Sequence, residues 1–182
     1  MTACHRLTIR SIDPDPRSAA IRSAAEQLGT PLDPTGPNLL GDVAVADLVF
    51  LEGDLDDRDL ESLHRFLVDP LLQEGTWAVP PQPGVEVAFL PGVTDGAAAT
   101  LLHAASRLGV PVAGAATGRR IEFGTSLDEQ HADAIVRRVV ANPVIERWSF
   151  EPIEPVFHAG GTGTGVARVA SLRGLDLDQL IS

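Results

Sequence analysis

Few side chains in this sequence of 182 residues could act as nucleophiles or metal ligands. There is one cysteine, Cys4, and there are five histidines. A cysteine nucleophile needs a nearby histidine and a third group that orients the pair, whereas Cys4 lies close to the N-terminus, where chains fray. The histidines, at positions 5, 64, 103, 131 and 158, show neither short metal-ligand spacing nor partner cysteines. We therefore expect neither a catalytic site nor a metal site from these residues.

A glycine-rich stretch at residues 160–165 invites a phosphate-loop interpretation. A Walker loop ends in Gly-Lys-Ser or Gly-Lys-Thr, however, and the sequence contains no lysine. We interpret the stretch as a flexible linker. A cluster of four carboxylates could in principle bind magnesium, but capping of the following helix explains it more simply; its members are Glu52, Asp54, Asp56 and Asp57. No bound cofactor is predicted.

Composition and charge exclude several classes of partner. The net charge is −11, which disfavours binding to nucleic acids and to anionic membranes because both are polyanions. The nearest basic pair, Arg119 and Arg120, is interpreted as a solvated strand face. No apolar run approaches the ~20 residues that span a bilayer, and the N-terminus has no signal-peptide pattern. With a single cysteine, the chain is expected to be cytoplasmic.

The first half of the sequence alternates predicted strands and helices. Residues 5–10 alternate apolar and polar side chains, as a half-buried strand does. An amphipathic helix is predicted for residues 17–28, and a second, apolar strand for residues 43–51. The next helix carries the stripe Leu60, Leu63, Phe66 and Leu67, and an extended segment follows it. Prolines then mark a linker at residues 80–84.

The same order of elements recurs after this linker. Residues 85–90 form a predicted strand, a Pro-Gly turn follows, and a helix with the stripe Leu101, Leu102, Ala105 and Leu108 ends at Gly109. Residues 118–123 are the next predicted strand. A capping-box pattern at residues 126–129 opens the last helix. The predicted inward positions of the four helices include Ile21, Leu63, Leu101, Ile135 and Val139.

The two halves align with each other at three places. Residues 27–29 align with residues 107–109, residues 67–72 align with residues 140–145, and Trp77 aligns near Trp148. Element order and anchor points together predict a duplication. The predicted fold is α/β of the α+β type, with two ferredoxin-like β-α-β-α-β repeats, antiparallel sheets and helices packed on them. We place the first repeat at residues 1–80, the second at residues 84–157, and a linker segment at residues 158–182.

The second half resembles the PurS family. The resemblance rests on a strand that leads into Pro-Gly-Val-Thr-Asp, a Leu-Gly helix end, a Gly-Arg strand start and a closing Ala-Asn-Pro-Val-Ile-Glu. The family usually has lysine where this chain has Arg119. In the first half only residues 67–73 are clearly similar, and the Pro-Gly-Val turn is missing. The positions that match the family motifs are Pro91, Gly92, Val93, Asp95, Gly118, Arg119, Asn142, Pro143 and Ile145.

The resemblance implies a role in the phosphoribosylformylglycinamidine (FGAM) synthase of de novo purine biosynthesis. PurS-like domains hold a PurQ-type glutaminase against a PurL-type synthetase, so that ammonia passes between them. Larger synthases of this kind carry an intrachain equivalent of the PurS dimer at their N-terminus, which implies an intrachain pseudo-dimer here. The family-motif positions are then structural or contact a partner. Residues 166–182 look like the start of the segment that leads into a synthetase domain.

A second interpretation stays open on the sequence. A tandem ACT-like regulatory module is also a repeated ferredoxin-like unit, and it binds a small amino acid between its copies. Whether the chain is a complete protein or a fragment of a larger synthase is also left open. A non-catalytic subunit of a glutamine-using ligase is the first expectation.

Overall fold

Three strands and two helices make up the described part of the first half of the chain. The computed structural model describes residues 3–27, 42–79, 83–124 and 129–159. The predicted capping box at residues 126–129, the linker residues 80–82 and the glycine-rich stretch at residues 160–165 lie outside these ranges, apart from Glu129. The elements of the first half are β1 (Ala3–Ser11), α1 (Pro16–Gln27), β2 (Val43–Gly53), α2 (Asp57–Leu67) and β3 (Gln73–Thr76).

The second half repeats this order. Its elements are β4 (Gly84–Phe89), α3 (Gly96–Leu108), β5 (Gly114–Phe123), α4 (Glu129–Ile135), which continues as a π-helical segment (Val136–Val140), and β6 (Glu146–Ser149). A two-residue strand, β7 (His158–Ala159), follows.

Local capping explains where two of the helices begin. Asp56 accepts hydrogen bonds from the backbone N–H groups of Arg58 and Asp59, and the Asp59 carboxylate accepts one from the Asp56 N–H. This reciprocal capping box satisfies amides that a helix start leaves without partners. Asp95 caps α3 through the Ala98 N–H. The acidic residues after β2 thus include a helix cap, as the sequence predicts.

One antiparallel sheet contains the strands of both halves. Six strands follow one another in the order β3-β1-β2-β5-β4-β6, and β7 pairs with the end of β5 that β4 does not reach. In each half the first strand lies between the other two. The halves therefore have the same topology, and they meet where β2 pairs with β5 from Val43↔Phe123 to Glu52↔Gly114. The two predicted sheets are joined edge to edge.

All four helices cover one face of this sheet, and both of their cores are shared between the halves. The first core places α2 of the first half against α3 of the second, with Leu63 and Leu101 among its buried members. The second core places α1 against α4, with Ala25 and Ile135 among its members. Because each core combines residues from both halves, burial of apolar surface stabilises the halves as one unit.

The predicted inward stripes are confirmed in part. Leu63, Leu101 and Ile135 are at most 7% exposed. Ile21 and Val139 are partly buried against the second core. The prediction of an inward side chain is wrong for Phe66 and for Leu108, because these residues are 54% and 44% exposed.

The prediction of a solvated face for the arginine pair on β5 is also wrong. Arg120 is 4% exposed, and Arg119 is bound to a buried carboxylate. Among the described residues, no helix is both long and apolar enough to cross a bilayer.

Candidate interaction surfaces

Asp95 ties the start of α3 to the middle of the sheet. Its carboxylate accepts hydrogen bonds from the Ala98 N–H at 2.9 Å and from the Thr117 N–H at 2.7 Å. The Thr117 hydroxyl also donates to it, at 2.9 Å. Asp95 is 8% exposed. This member of the Pro-Gly-Val-Thr-Asp motif therefore holds the helix to β5, and it is not available to a partner.

The turn before Asp95 is open to solvent. Pro91 and Gly92 are exposed, and Val93 is half-buried. Gly92 has a φ of +89°, a left-handed conformation that side chains with a Cβ rarely adopt. The Val93 N–H donates to the Leu90 carbonyl and closes the turn. The Pro-Gly pair thus shapes an exposed corner of the molecule.

Gly118 allows β4 and β5 to approach each other closely. A Cβ placed on this residue would lie 2.6 Å from the Val87 carbonyl oxygen. Contacts below 3.0 Å are essentially absent from real structures, and the neighbour is backbone that cannot rotate away. The glycine of the Gly-Arg motif is therefore required by strand packing.

Arg119 joins β5 to the end of the π-helical segment and to the start of β6. Its guanidinium donates to both oxygens of Glu146, at 2.7 and 2.9 Å, and to the Val140 carbonyl at 2.6 Å. Glu146, which is 8% exposed, also accepts the Asn142 N–H at 2.7 Å. Burial alone would raise the pKa of Glu146, but the hydrogen bonds from Arg119 and Asn142 outweigh it and hold that pKa below its usual value.

The Asn-Pro motif forms a tight turn directly after the π-helical segment. The Asn142 side chain accepts a hydrogen bond from the Val144 N–H. The backbone carbonyl of Asn142 accepts hydrogen bonds from the N–H groups of Ile145 and Glu146. The π-helical segment ends with a bond from the Ala141 N–H to the Val136 carbonyl. The turn therefore has fixed geometry although four of its residues are exposed, namely Asn142, Pro143, Val144 and Ile145.

The two exposed turns of the second half form one surface. The Leu90 N–H donates to the Ile145 carbonyl at 2.9 Å, which places the Pro-Gly corner beside the Asn-Pro turn. Val144 is 78% exposed and Ile145 is 37% exposed. We call this the second turn surface; it comprises Pro91, Gly92, Asn142, Pro143, Val144 and Ile145.

The first half presents an equivalent surface at the other edge of the sheet. The Ile12 N–H donates to the Leu72 carbonyl, also at 2.9 Å. Ile12, Leu71 and Leu72 are 54%, 83% and 56% exposed. We call these residues, with Asp69 and Pro70, the first turn surface. Exposed apolar side chains grouped on a rigid turn are typical of protein-protein contacts.

The sheet face opposite the helices carries a buried charge network. Glu86 on β4 is fully buried and accepts from Arg6 of β1, from Arg120 of β5 at 2.7 Å and from the Ile153 N–H at 2.8 Å. Burial alone would raise the Glu86 pKa, but these donors outweigh it and lower the pKa. Beside it, Arg10 donates to both oxygens of Glu122, at 2.7 and 2.6 Å.

Residues after β6 cover this network. Ile153 is 5% exposed and packs with Phe50 and Leu48, and Phe157 lies against the same cluster. Arg147 donates to the Glu154 carbonyl. The stretch from β6 to β7 therefore belongs to the folded body, and residues 160–182 of the predicted linker lie outside the described ranges.

Where the structure describes them, the side chains considered for catalysis or metal binding do not come together. Cys4 is exposed and lies opposite Glu52 across the β1–β2 pair. Partial burial of its thiol and the Glu52 carboxylate raise the Cys4 pKa, which favours the unreactive thiol. In the described ranges, no three potential metal-ligating side chains lie within reach of one ion.

Sequence reasoning missed the most exposed members of both turn surfaces. Leu71, Leu72 and Val144 occupy motif positions that were aligned between the halves but not named as site residues. Their signal was an apolar pair directly after an Asp-Pro or Asn-Pro helix stop. Glu146 was missed because no local pattern reveals that Arg119 needs a partner 27 positions away.

The similarity to known proteins is concentrated in the second half. Residues 83–154 match the family described as PurS, phosphoribosylformylglycinamidine (FGAM) synthase. A comparison of the whole chain with curated proteins gave no match. PurS is a subunit of the FGAM synthase complex, so proteins are the partners to expect. Residues 83–154 thus form a PurS-like domain, and this domain relates the chain to FGAM synthase and purine biosynthesis.

Proposed function

We propose that this chain is a non-catalytic component of an FGAM synthase and that it holds a PurQ-type glutaminase against a PurL-type synthetase. Residues 1–80 serve as a diverged first PurS-like copy and residues 84–157 as the second. The observation that carries the proposal is the pair of turn surfaces, found once in each half and attached to opposite edges of one sheet. The family match of the second half supports it.

The position of the two surfaces suits a bridging role. β3 and β6, the strands that follow the turns, are the first and last strands of the six-strand path. Five strand spacings of about 4.8 Å separate them, or about 24 Å across the sheet. A partner bound at one surface leaves the other free. The shared cores make the body between the surfaces rigid, so two bound proteins are held in a fixed relation.

The chemistry of the surfaces suits protein partners. Each offers two or three exposed aliphatic side chains beside a backbone turn that hydrogen bonds already fix. Little conformational entropy is lost when such a preorganised surface binds. The net charge of −11 causes the chain to repel polyanions, but it does not oppose binding to basic protein surfaces.

Reconstitution with purified synthetase and glutaminase from the same genome tests the proposal. We expect the full chain to be required for FGAM formation from glutamine and dispensable for FGAM formation from added ammonia, because bridging matters only when ammonia must be transferred. Sedimentation velocity should show one complex containing all three proteins. Glutamine-dependent activity that is equal without the chain would refute the bridging role.

Surface variants assign the partners. Leu71→Ser with Leu72→Ser should weaken binding of one partner, and Val144→Ser with Ile145→Ser should weaken binding of the other. Phe66→Ser is the matched control, because Phe66 is an apolar side chain on the helical layer and is 54% exposed, close to the 56% of Leu72. Loss of neither partner in either double variant would contradict the assignment. Stabilisation by a free amino acid in a thermal-shift assay would instead support the ACT-like alternative.

A further inference from the structure

The charges that cross the junction between the halves are arranged asymmetrically. On the sheet face without helices, the arginines come from β1 of the first half and their carboxylates come from the second half: Arg6 binds Glu86, and Arg10 binds Glu122. We propose that these pairs make each half recognise the unlike half and exclude pairing with a copy of itself. The charges thus specify that the β2 edge of a first half pairs with the β5 edge of a second half.

The structure defines which positions of the two halves are equivalent. Thr8 pairs with Thr76 at the end of β3, and Glu86 pairs with Ser149 at the end of β6. Thr8 therefore corresponds to Glu86. Two residues earlier on each strand, Arg6 corresponds to Gly84.

The same registers extend the equivalence to the other charges. Thr8 also pairs with Leu48, and Glu86 pairs with Arg120, so Leu48 corresponds to Arg120. Arg10 corresponds to Ala88, and Phe50 corresponds to Glu122. None of the five charged positions of the network has a charged counterpart in the other half.

A pair of first halves would lose every carboxylate of the network. In such a pair, Arg6 would face Thr8 of the copy where it now binds Glu86. Arg10 would face Phe50 of the copy in place of Glu122. Two arginines per half would then lie at the junction without a carboxylate partner, so a pair of first halves would lack both ion pairs that now join the halves.

A pair of second halves would lose both β1 arginines. Glu86 would face Gly84 of the copy in place of Arg6, and it would keep only its bonds within its own half. Glu122 would face Ala88 of the copy in place of Arg10. The second half would therefore bring two carboxylates per copy to the junction with one guanidinium, Arg120, between them.

On the helix-covered face, two opposite charges face each other at the centre of the junction, and each also has an ion-pair partner within its own half, Arg17 for Asp47 and Glu146 for Arg119. Asp47 pairs with Ile9 and Arg119 pairs with Val87, so Asp47 and Arg119 occupy equivalent positions. They also lie directly opposite each other in the β2–β5 register. Like pairing would set Asp47 against Asp47 or Arg119 against Arg119, and like charges directly opposite across strands are destabilising.

Burial gives the network its selectivity. Glu86 is 0% exposed, Arg120 4% and Arg6 10% at the side chain. Removal of one partner from a buried ion pair costs far more than the pair contributes, because an uncompensated charge remains. The shared apolar cores stabilise the junction but discriminate weakly, since hydrophobic attraction is not directional.

A chain that is cut after folding tests the inference. A protease site replaces residues 80–82, the intact chain is folded and checked by circular dichroism, and the site is then cleaved. The cut protein is unfolded in denaturant and refolded, and native mass spectrometry counts the pairs. We expect unlike pairs in at least about tenfold excess over random pairing, which corresponds to about 1.4 kcal/mol. Random pairing, or a majority of like pairs, would overturn the inference.

A variant without the three most buried charges of the network provides the second measurement. Arg6→Leu, Glu86→Leu and Arg120→Leu together keep an apolar junction, so association should persist while like pairs become abundant. Glu61→Leu with Arg65→Leu, which removes an exposed pair within α2, is the control and should retain the excess. If the triple variant does not fold, Glu86→Gln takes its place and should lower the excess. Unchanged selectivity in the variant used would contradict the role of the network.

Discussion

Replacement of Gly118 by alanine should separate β4 from β5 at the end of their ladder, where Gly118 pairs with Ala88. The new Cβ would lie 2.6 Å from the Val87 carbonyl oxygen. A carbon and an oxygen in contact normally lie about 3.3 Å or more apart, so one strand must move by about 0.7 Å. The neighbour is backbone in a paired strand, and the displacement therefore weakens the hydrogen bonds of the β4–β5 ladder.

The cost follows from what overpacking does in tightly packed interiors. Insertion of one carbon into such a site costs about 1–3 kcal/mol. In a domain of this size, 1 kcal/mol corresponds to about 2–4 °C, so the melting temperature should fall by about 2–12 °C. Thermal unfolding followed by circular dichroism, at one protein concentration and pH, measures it.

Gly96→Ala is the matched control. It lies at the first position of α3, and a Cβ there meets nothing within 4 Å. Alanine is also the better helix former, so this variant should melt at or above the temperature of the parent chain. A Gly118→Ala protein with the same melting temperature as the parent chain would refute the reasoning. Gly118 would then remain a candidate contact residue for a partner protein.

Three further predictions concern the charged groups. Arg119→Lys, which restores the residue usual in the family, should lower stability by about 1 kcal/mol, because lysine cannot donate to both Glu146 oxygens in the fixed geometry of a guanidinium; urea unfolding measures it. Glu86 and Glu122 have folded-state pKa values below the usual 4.5. Their contribution to stability is present above pH 4.5 and is lost as the pH falls through the lowered pKa values. A Glu86→Gln chain should therefore lose less stability between pH 5 and 3 than its parent, and an equal loss would contradict the linkage. The Cys4 thiol should react with a disulfide reagent slowly at pH 7 and faster as the pH rises past 9.0, the ordinary value that its pKa exceeds, and a pH-independent rate would contradict the raised pKa.

Element order was predictable because it depends on local signals. Apolar periodicity, the Asp56 and Asp95 caps and the left-handed Gly109 at the end of α3 are properties of a few neighbouring residues. Repetition of these signals indicated two similar units, and the sheet has the same strand order in each half. To predict that the two units join into one sheet, one would need to know the β2–β5 register. No local sequence pattern contains that information.

The failures have a common physical cause. Phe66 and Leu108 lie on apolar stripes that are wider than the contact between α2 and α3, so periodicity assigned them to the core although they are exposed. Arg120 has the residue type of a surface position, but it is buried because it binds Glu86 of β4, 34 positions away, as well as Glu122 on its own strand. Residues of the candidate surfaces were found only where a family motif named them.

The presence of two turn surfaces in one chain changes what these surfaces can do. A dimer of identical subunits presents the same surface twice, so both surfaces must bind the same partner. In this chain the first turn reads Asp-Pro-Leu-Leu and the second reads Asn-Pro-Val-Ile, and only the second lies beside a Pro-Gly corner. The two surfaces are thus chemically different, and the polypeptide chain that joins the halves keeps one of each in every molecule. Two turn surfaces that differ in sequence can each be adapted to its own partner, whereas the identical surfaces of a symmetric dimer change together.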